Sequence, residues 1–199
     1  MARTPDMEMK RELLDRVVGY LAENGLGDVS LRPMAAALGT SPNRLVHHFG
    51  SKAELLSAAL VRAIRIQEEV RDDWLRREPD MTQANQLRKW WRWLNASPAN
   101  LALTRLGLEA ATLEATQTGI TGEVRAEQIG VWREHIEQRL LLEGVPRSIV
   151  VVEATLLKGL FTGLVVDLIS TGDRQRLSRA LEHGLKRLES IVAESHARI

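Results

Sequence analysis

The chain has 199 residues, 44% of them apolar, enough for one large domain or a small domain packed on a larger one, with a sizeable core. It contains no cysteine, so disulfides, thiolate metal sites and cysteine nucleophiles are excluded. A formal net charge of +1 says little about a nucleic-acid partner, so the placement of charge has to decide.

Leu, Ala and Val are abundant while Phe and Tyr are scarce, and no long stretch alternates tightly enough for a strand, so an all-α chain is expected. The opening MARTPDMEMKRELL lacks the apolar centre of a secretion signal. The longest apolar candidate, Leu156 to Ile169, holds Lys158 and Asp167 and reads as too short to span a bilayer. With no cysteine, a soluble, cytoplasmic protein without a membrane partner is expected.

Residues 1–8 read as a loose arm. A first helix is predicted from about Met9 to Asn24, with Leu13, Leu14, Val17, Val18 and Leu21 at helical spacing and Gly25 as its stop. Ser30 is placed to cap a second helix, with Pro33 tolerated in its first turn and Met34, Ala35 and Leu38 on its buried face. Gly39 ends that helix. Ser41 caps a third, covering about Pro42 to His48, with Pro42 at its first position. Ser51 and Glu54 form an S-x-x-E capping box that opens a fourth, long helix reaching about Arg76. Further helices are expected at 81–95, 99–117, 121–143, 147–170 and 174–195, punctuated by Pro98, Thr121–Gly122, Gly144–Pro146 and Thr171–Asp173.

The second and third helices are separated only by Gly39, Thr40 and Ser41, which is the spacing of a helix-turn-helix, with Ala35, Ala36 and Ala37 small enough for a close crossing. Between Ser30 and Lys52 there are three basic residues, Arg32, Arg44 and Lys52, and no acidic one. The stretch Arg11 to Leu56 resembles the N-terminal domain of the TetR family of bacterial regulators: the L-L helix ending in E-N-G, then V-S-L-R, M-A-A-A-L-G-T-S, R-L-V-H-H-F and S-K-A-E-L-L. The resemblance covers about a quarter of the chain. It implies a three-helix DNA-binding domain, assigned to residues 1–52, followed by a helical ligand-binding and dimerisation domain over 53–199. The family pattern usually has tyrosine, commonly a phosphate contact, where this chain has Val46. Valine cannot donate that hydrogen bond, so weaker or differently registered DNA binding is expected.

Thr40, Ser41, Asn43, Arg44 and His47 are the candidates to face DNA. Arg44 suits guanine or phosphate through paired donors, and Asn43 suits adenine, while Ser41 and Asn43 also suit a capping role. Arg32 and Lys52 are candidates for phosphates. His47 and His48 are adjacent and cannot share a helix face, so His47 is expected outward and His48 inward; their spacing does not make a metal pair. Phe49 is expected in the core.

In the C-terminal part, Val150, Ala154, Leu157, Phe161 and Leu164 line one helix face, and Leu177, Leu181, Leu185, Leu188 and Val192 line another. Both stripes read as a homodimer seam of two antiparallel helices per subunit, the alternative being burial within their own subunit. The small pair Gly159 and Gly163 permits close helix approach. All five tryptophans lie between residues 74 and 132. Trp74, Trp90, Arg105, Glu109, Trp132 and His135 are the candidates to line a pocket for a small, mostly apolar or aromatic organic effector. Trp90, Trp91 and Trp93 spread around their helix, so at least one should be exposed or at an interface.

The expected function is a ligand-responsive dimeric regulator, a repressor released from a palindromic duplex DNA operator by its effector. The fourth helix is expected to carry the effector's signal between the domains. No cofactor, metal or catalytic activity is expected, since the chain holds no H-E-x-x-H, P-loop, G-x-S-x-G or dinucleotide glycine pattern. The competing reading is a helical protein-interaction module that has lost specific DNA binding.

Overall fold

A computed structural model describes the backbone of residues 5–116 and 124–197, and the side chains of 7–113 and 132–197. The described residues form helices α1 (Pro5–Asn24), α2 (Leu31–Ala37), α3 (Pro42–Phe49), α4 (Lys52–Arg77), α5 (Gln83–Ala96), α6 (Pro98–Thr116), α7 (Val124–Leu142), α8 (Arg147–Thr171) and α9 (Arg174–His196). The expected all-α class holds, whereas the break at Thr121–Gly122 lies outside the described residues. The arm foreseen over residues 1–8 is already helical from Pro5, a residue whose fixed φ suits the first helical position.

The chain divides into two compact units, Met1–Trp74 with Pro98–Arg125, and Leu75–Ser97 with Ala126–Ile199. In the first unit, Leu13, Val17, Val18 and Leu21 of α1 are buried with Met34, Ala35, Leu45, Leu55 and Ala59. Gly25 leaves α1 at φ 79°, and its amide donates to the Leu21 carbonyl at 2.8 Å. Two of the three alanines of α2, Ala36 and Ala37, are exposed, so Ala35 alone provides the close crossing foreseen for all three. Ser30 stands at the N-cap of α2 in extended backbone, but its side chain makes no capping bond. Arg62 of α4 ties that helix to α1 by donating to Asp15 at 2.5 Å, and on its own helix it reaches Glu69 at 3.0 Å. Arg16 of α1 donates to the Leu38 carbonyl just past α2.

The second unit gathers α5, α7, α8 and α9. Val150, Ala154, Leu157, Phe161 and Leu164 of α8 are buried within it, as are Leu177, Leu181, Leu185 and Leu188 of α9. These stripes are therefore core of one subunit, which corrects their reading as a dimer seam. Arg88 of α5 reaches across to Glu182 at 2.7 Å and Glu189 at 2.5 Å on α9, and these carboxylates hold its guanidinium well above its ordinary pKa. Glu153, buried on α8, receives two bonds from Arg187 of α9 at 2.8 and 3.0 Å. The Glu143 carboxylate, pushed up from the usual carboxylate range by burial, accepts from the Gln83 amide at 2.5 Å and so satisfies the first turn of α5.

Within α8, Ile149, Val152, Leu156, Gly159, Gly163 and Val166 recur at spacings of three and four and are all exposed. Among the described residues α8 is the one helix long and apolar enough to cross a membrane, longer than the segment read from sequence, and a third of its most apolar window is buried. Nothing lies within 4 Å of where a Cβ would stand at Gly159 or Gly163, so neither glycine is required by packing inside the subunit.

Candidate nucleic-acid interface

The turn between α2 and α3 is set by local bonds. The amides of Gly39 and Thr40 fold back on the carbonyls of Ala36 and Ala35 at 3.1 and 2.9 Å, and Gly39 takes φ 62°, a conformation that suits glycine. Ser41 then caps α3, its hydroxyl accepting from the Arg44 amide at 3.2 Å, with Pro42 next in line. Losing that cap in Ser41→Ala is expected to destabilise the head by about 1 kcal/mol, read as a lowered thermal midpoint. A midpoint equal to that of the unaltered protein would mean that the cap is not holding α3.

Leu45 is fully buried and anchors α3, which leaves Asn43, Arg44, Val46 and His47 exposed along its outer side. Arg32 at the start of α2 and Lys52 at the start of α4 are exposed as well. The Arg44 guanidinium lies 3.3 Å from the Met9 sulfur of α1, a weak contact that leaves its donors available to an anion. Thr40 is half-buried and its hydroxyl oxygen is out of reach of solvent, so of the five residues picked on the turn and α3 it offers the least to a partner. His47 points outward and His48 is half-buried, its ring edge-on to Phe49 at 6.3 Å. Phe49 is half-buried, not a core residue, and the Lys10 ammonium sits 5.2 Å from its ring centre. The capping box at the start of α4 is fully formed: the Ser51 amide donates to Glu54 at 2.6 Å and the Glu54 amide to the Ser51 hydroxyl at 3.2 Å. The hydroxyl and amide of Ser51 hold the Glu54 carboxylate below its ordinary pKa.

Residues 13–59 match the family model described as bacterial regulatory proteins, tetR family. That match takes in the helix-turn-helix and its flanking helices, about a quarter of the chain. The chain's fold is similar to those of solved regulators. A Rhodococcus sp. protein described as a TetR-family transcriptional regulator superposes with a TM-score of 0.71 at 18% identity, over 94% of this chain and 99% of that one. A second transcriptional regulator, from Rhodococcus sp. Rha1, gives 0.68 at 22% identity, over 89% and 94%. The multidrug binding protein EbrR, solved with imidazole, gives 0.61 at 20% identity, over 93% and 90%. No curated protein sequence matches the chain. Val46, at the position where the family pattern usually has tyrosine, is 43% exposed on α3.

The six effector candidates fall in different places. Trp74, Arg105 and Glu109 belong to the first unit and Trp90, Trp132 and His135 to the second. Trp90 is half-buried and stacks on Trp93 with ring centres 4.9 Å apart, while Trp91 is buried and donates from its indole to the Ser178 hydroxyl at 2.8 Å. Trp132 lies edge-on to Phe161 at 5.6 Å, and His135 Nε2 is 3.1 Å from Gln86 Oε1. Arg105 and Glu109 turn to α1. The Arg105 guanidinium donates to the carbonyls of Ala22 at 2.6 Å and Glu23 at 3.4 Å, and the Glu109 carboxylate lies against Gly25. Sequence spacing gives no signal for that pairing, because its partners are 82 and 83 residues apart.

Proposed function

We propose that this chain is a homodimeric repressor of the TetR family that releases a palindromic operator when a small apolar or aromatic molecule binds. The observation that carries the DNA part is α3 itself: a capped helix, anchored by Leu45, whose exposed side presents Asn43, Arg44 and His47 beside Arg32 and Lys52, with no acidic residue between Ser30 and Lys52. A helix mounted in this way enters the major groove by its N-terminal end. The apolar outer stripe of α8 supports the dimer, since its two exposed glycines invite a second helix to approach closely. The half-buried Trp90 and Trp132, with His135, support an aromatic effector in the second unit; Trp74 at the end of α4 is the further candidate. EbrR, described as a multidrug binding protein, supports the same effector class.

The test is selection of genomic DNA fragments by the purified protein, followed by titration of the best one. A shared near-palindrome is expected. Arg44→Ala should weaken its binding by about 5- to 150-fold, corresponding to one bidentate base or phosphate contact of ~1–3 kcal/mol. Failure to enrich any fragment would sink the proposal and favour the interaction-module reading, for which the exposed Val46 is the supporting feature.

A further inference from the structure

We infer that Arg105 and Glu109 of α6 are positioning residues for DNA recognition, clamping the C-terminal end of α1 and so fixing the pose of the helix-turn-helix. The inference rests on the proposed regulator function and names a route of control in addition to α4. The last carbonyls of a helix have no amide of their own helix to accept from. In α1 those of Ala22 and Glu23 take the Arg105 guanidinium, which also sets a fixed positive charge at the negative end of the helix dipole. One turn further along α6, the Glu109 carboxylate lies against Gly25, just past the same helix end. A Cβ at residue 25 would lie 2.9 Å from its Oε1, close enough to push the carboxylate aside, and Gly25 takes φ 79°, a conformation that favours glycine there. Among the helix pairs of the first unit, α1 with α6 makes the most extensive contact.

The chain connectivity gives this clamp a regulatory use. The chain passes between the two units within α4, at Ser97–Pro98 where α6 begins, and at Arg125–Ala126 within α7. A change in the second unit therefore has a direct covalent link to the start of α6. α6 is also built to yield between the clamp residues. Gly107 sits midway between Arg105 and Glu109, exposed and with nothing within 4 Å of a Cβ position, so it weakens the helix without serving the packing. On either side, the hydroxyls of Thr104 and Thr112 bond back to the carbonyls of Asn100 at 3.2 Å and Glu109 at 2.9 Å, a pattern that favours bending. A bend at Gly107 would separate Arg105 from Glu109 and free the end of α1.

The experiment compares the full-length protein with Arg105→Met, Arg105→Lys and Glu109→Gln. Two quantities are read: amide hydrogen exchange over residues 21–29, and the ratio of affinity for the selected genomic fragment to affinity for bulk duplex DNA at one salt concentration. Arg105→Met should speed exchange in that segment and lower the affinity ratio by about tenfold. Bulk-DNA affinity should hold, because the phosphate-facing cations are untouched. Arg105→Lys should recover part of the ratio, since an ammonium still reaches one carbonyl. Glu109→Gln, which keeps size and removes only charge, should give a smaller loss and guards against misfolding of the arginine variants. A ratio unchanged in both Arg105→Met and Glu109→Gln, with a wild type that does prefer a fragment, overturns the clamp alone. A wild type that prefers none overturns the regulator reading, and the DNA role of the clamp with it.

Discussion

Leu156→Glu is expected to turn the proposed homodimer into monomers in light scattering and to lower affinity for the proposed operator by at least about a hundredfold. Leu156 stands in the middle of the outer stripe of α8, 51% exposed in the single subunit, so the change leaves the subunit's own core intact. In a two-fold dimer built on that stripe both copies of the glutamate would be buried without a partner, at several kcal/mol each. Since ~1.4 kcal/mol is a factor of ten, subunit affinity should fall by about a thousandfold or more. Operator binding would then lose the advantage of two linked reading heads. Helical content should survive, although the melting point falls by loss of mass action between subunits. The neighbouring Leu157, 4% exposed, provides the contrast: Leu157→Ala should cost about 2–5 kcal/mol of subunit stability through a cavity. A Leu156→Glu protein that stays dimeric would place the subunit contact elsewhere.

Phe161→Ala should remove about 3–5 kcal/mol from the second unit, seen as a shifted urea midpoint with an unchanged slope. Phe161 is 2% exposed and joins two indoles edge-on, Trp91 at 6.1 Å and Trp132 at 5.6 Å. Deleting the ring loses its burial and both aromatic contacts, each worth ~0.5–1.5 kcal/mol beyond area. Against a total stability of roughly 5–15 kcal/mol that is a large share, enough to leave the unit partly unfolded at growth temperatures. Phe161→Leu keeps most of the volume and should cost about 1.5 kcal/mol or less. A loss below about 1 kcal/mol in the alanine variant would mean that α5, α7 and α8 do not meet around this ring.

What was legible in the sequence was local. The capping box of Ser51 and Glu54, the cap at Ser41 with Pro42 behind it, and the glycine stops at residues 25 and 39 each act within a few residues, and each forms as read. Ser30 shows the limit of that logic, since residue type permits a cap but the rotamer does not make it. The faces of α8 were not legible. That helix is apolar nearly all round, so spacing alone picks out two stripes and cannot say which one is core. The stripe through Leu157 is the inner one, and the stripe through Gly159 and Gly163, whose small size signals close approach, is left outside. Phe49, expected in the core, ends α3 half-covered, with the Lys10 ammonium over its ring. Arg105 and Glu109 looked like pocket residues because they are polar among apolar neighbours. Their partner, the end of α1, is distant in sequence and consists of backbone carbonyls and a glycine, which leave no pattern to read.

The distribution of aromatic residues gives the molecule two separable optical signals. Every indole lies at Trp74 or beyond, while the single tyrosine, Tyr20, sits on α1 of the reading head. Excitation at the red edge, where only indole absorbs, therefore reports on the far end of α4, α5 and α7 and is blind to the head. Phenol emission reports on α1 alone. An unlabelled sample can thus reveal separately whether a solute perturbs the tryptophan-bearing helices and whether duplex DNA engages the head.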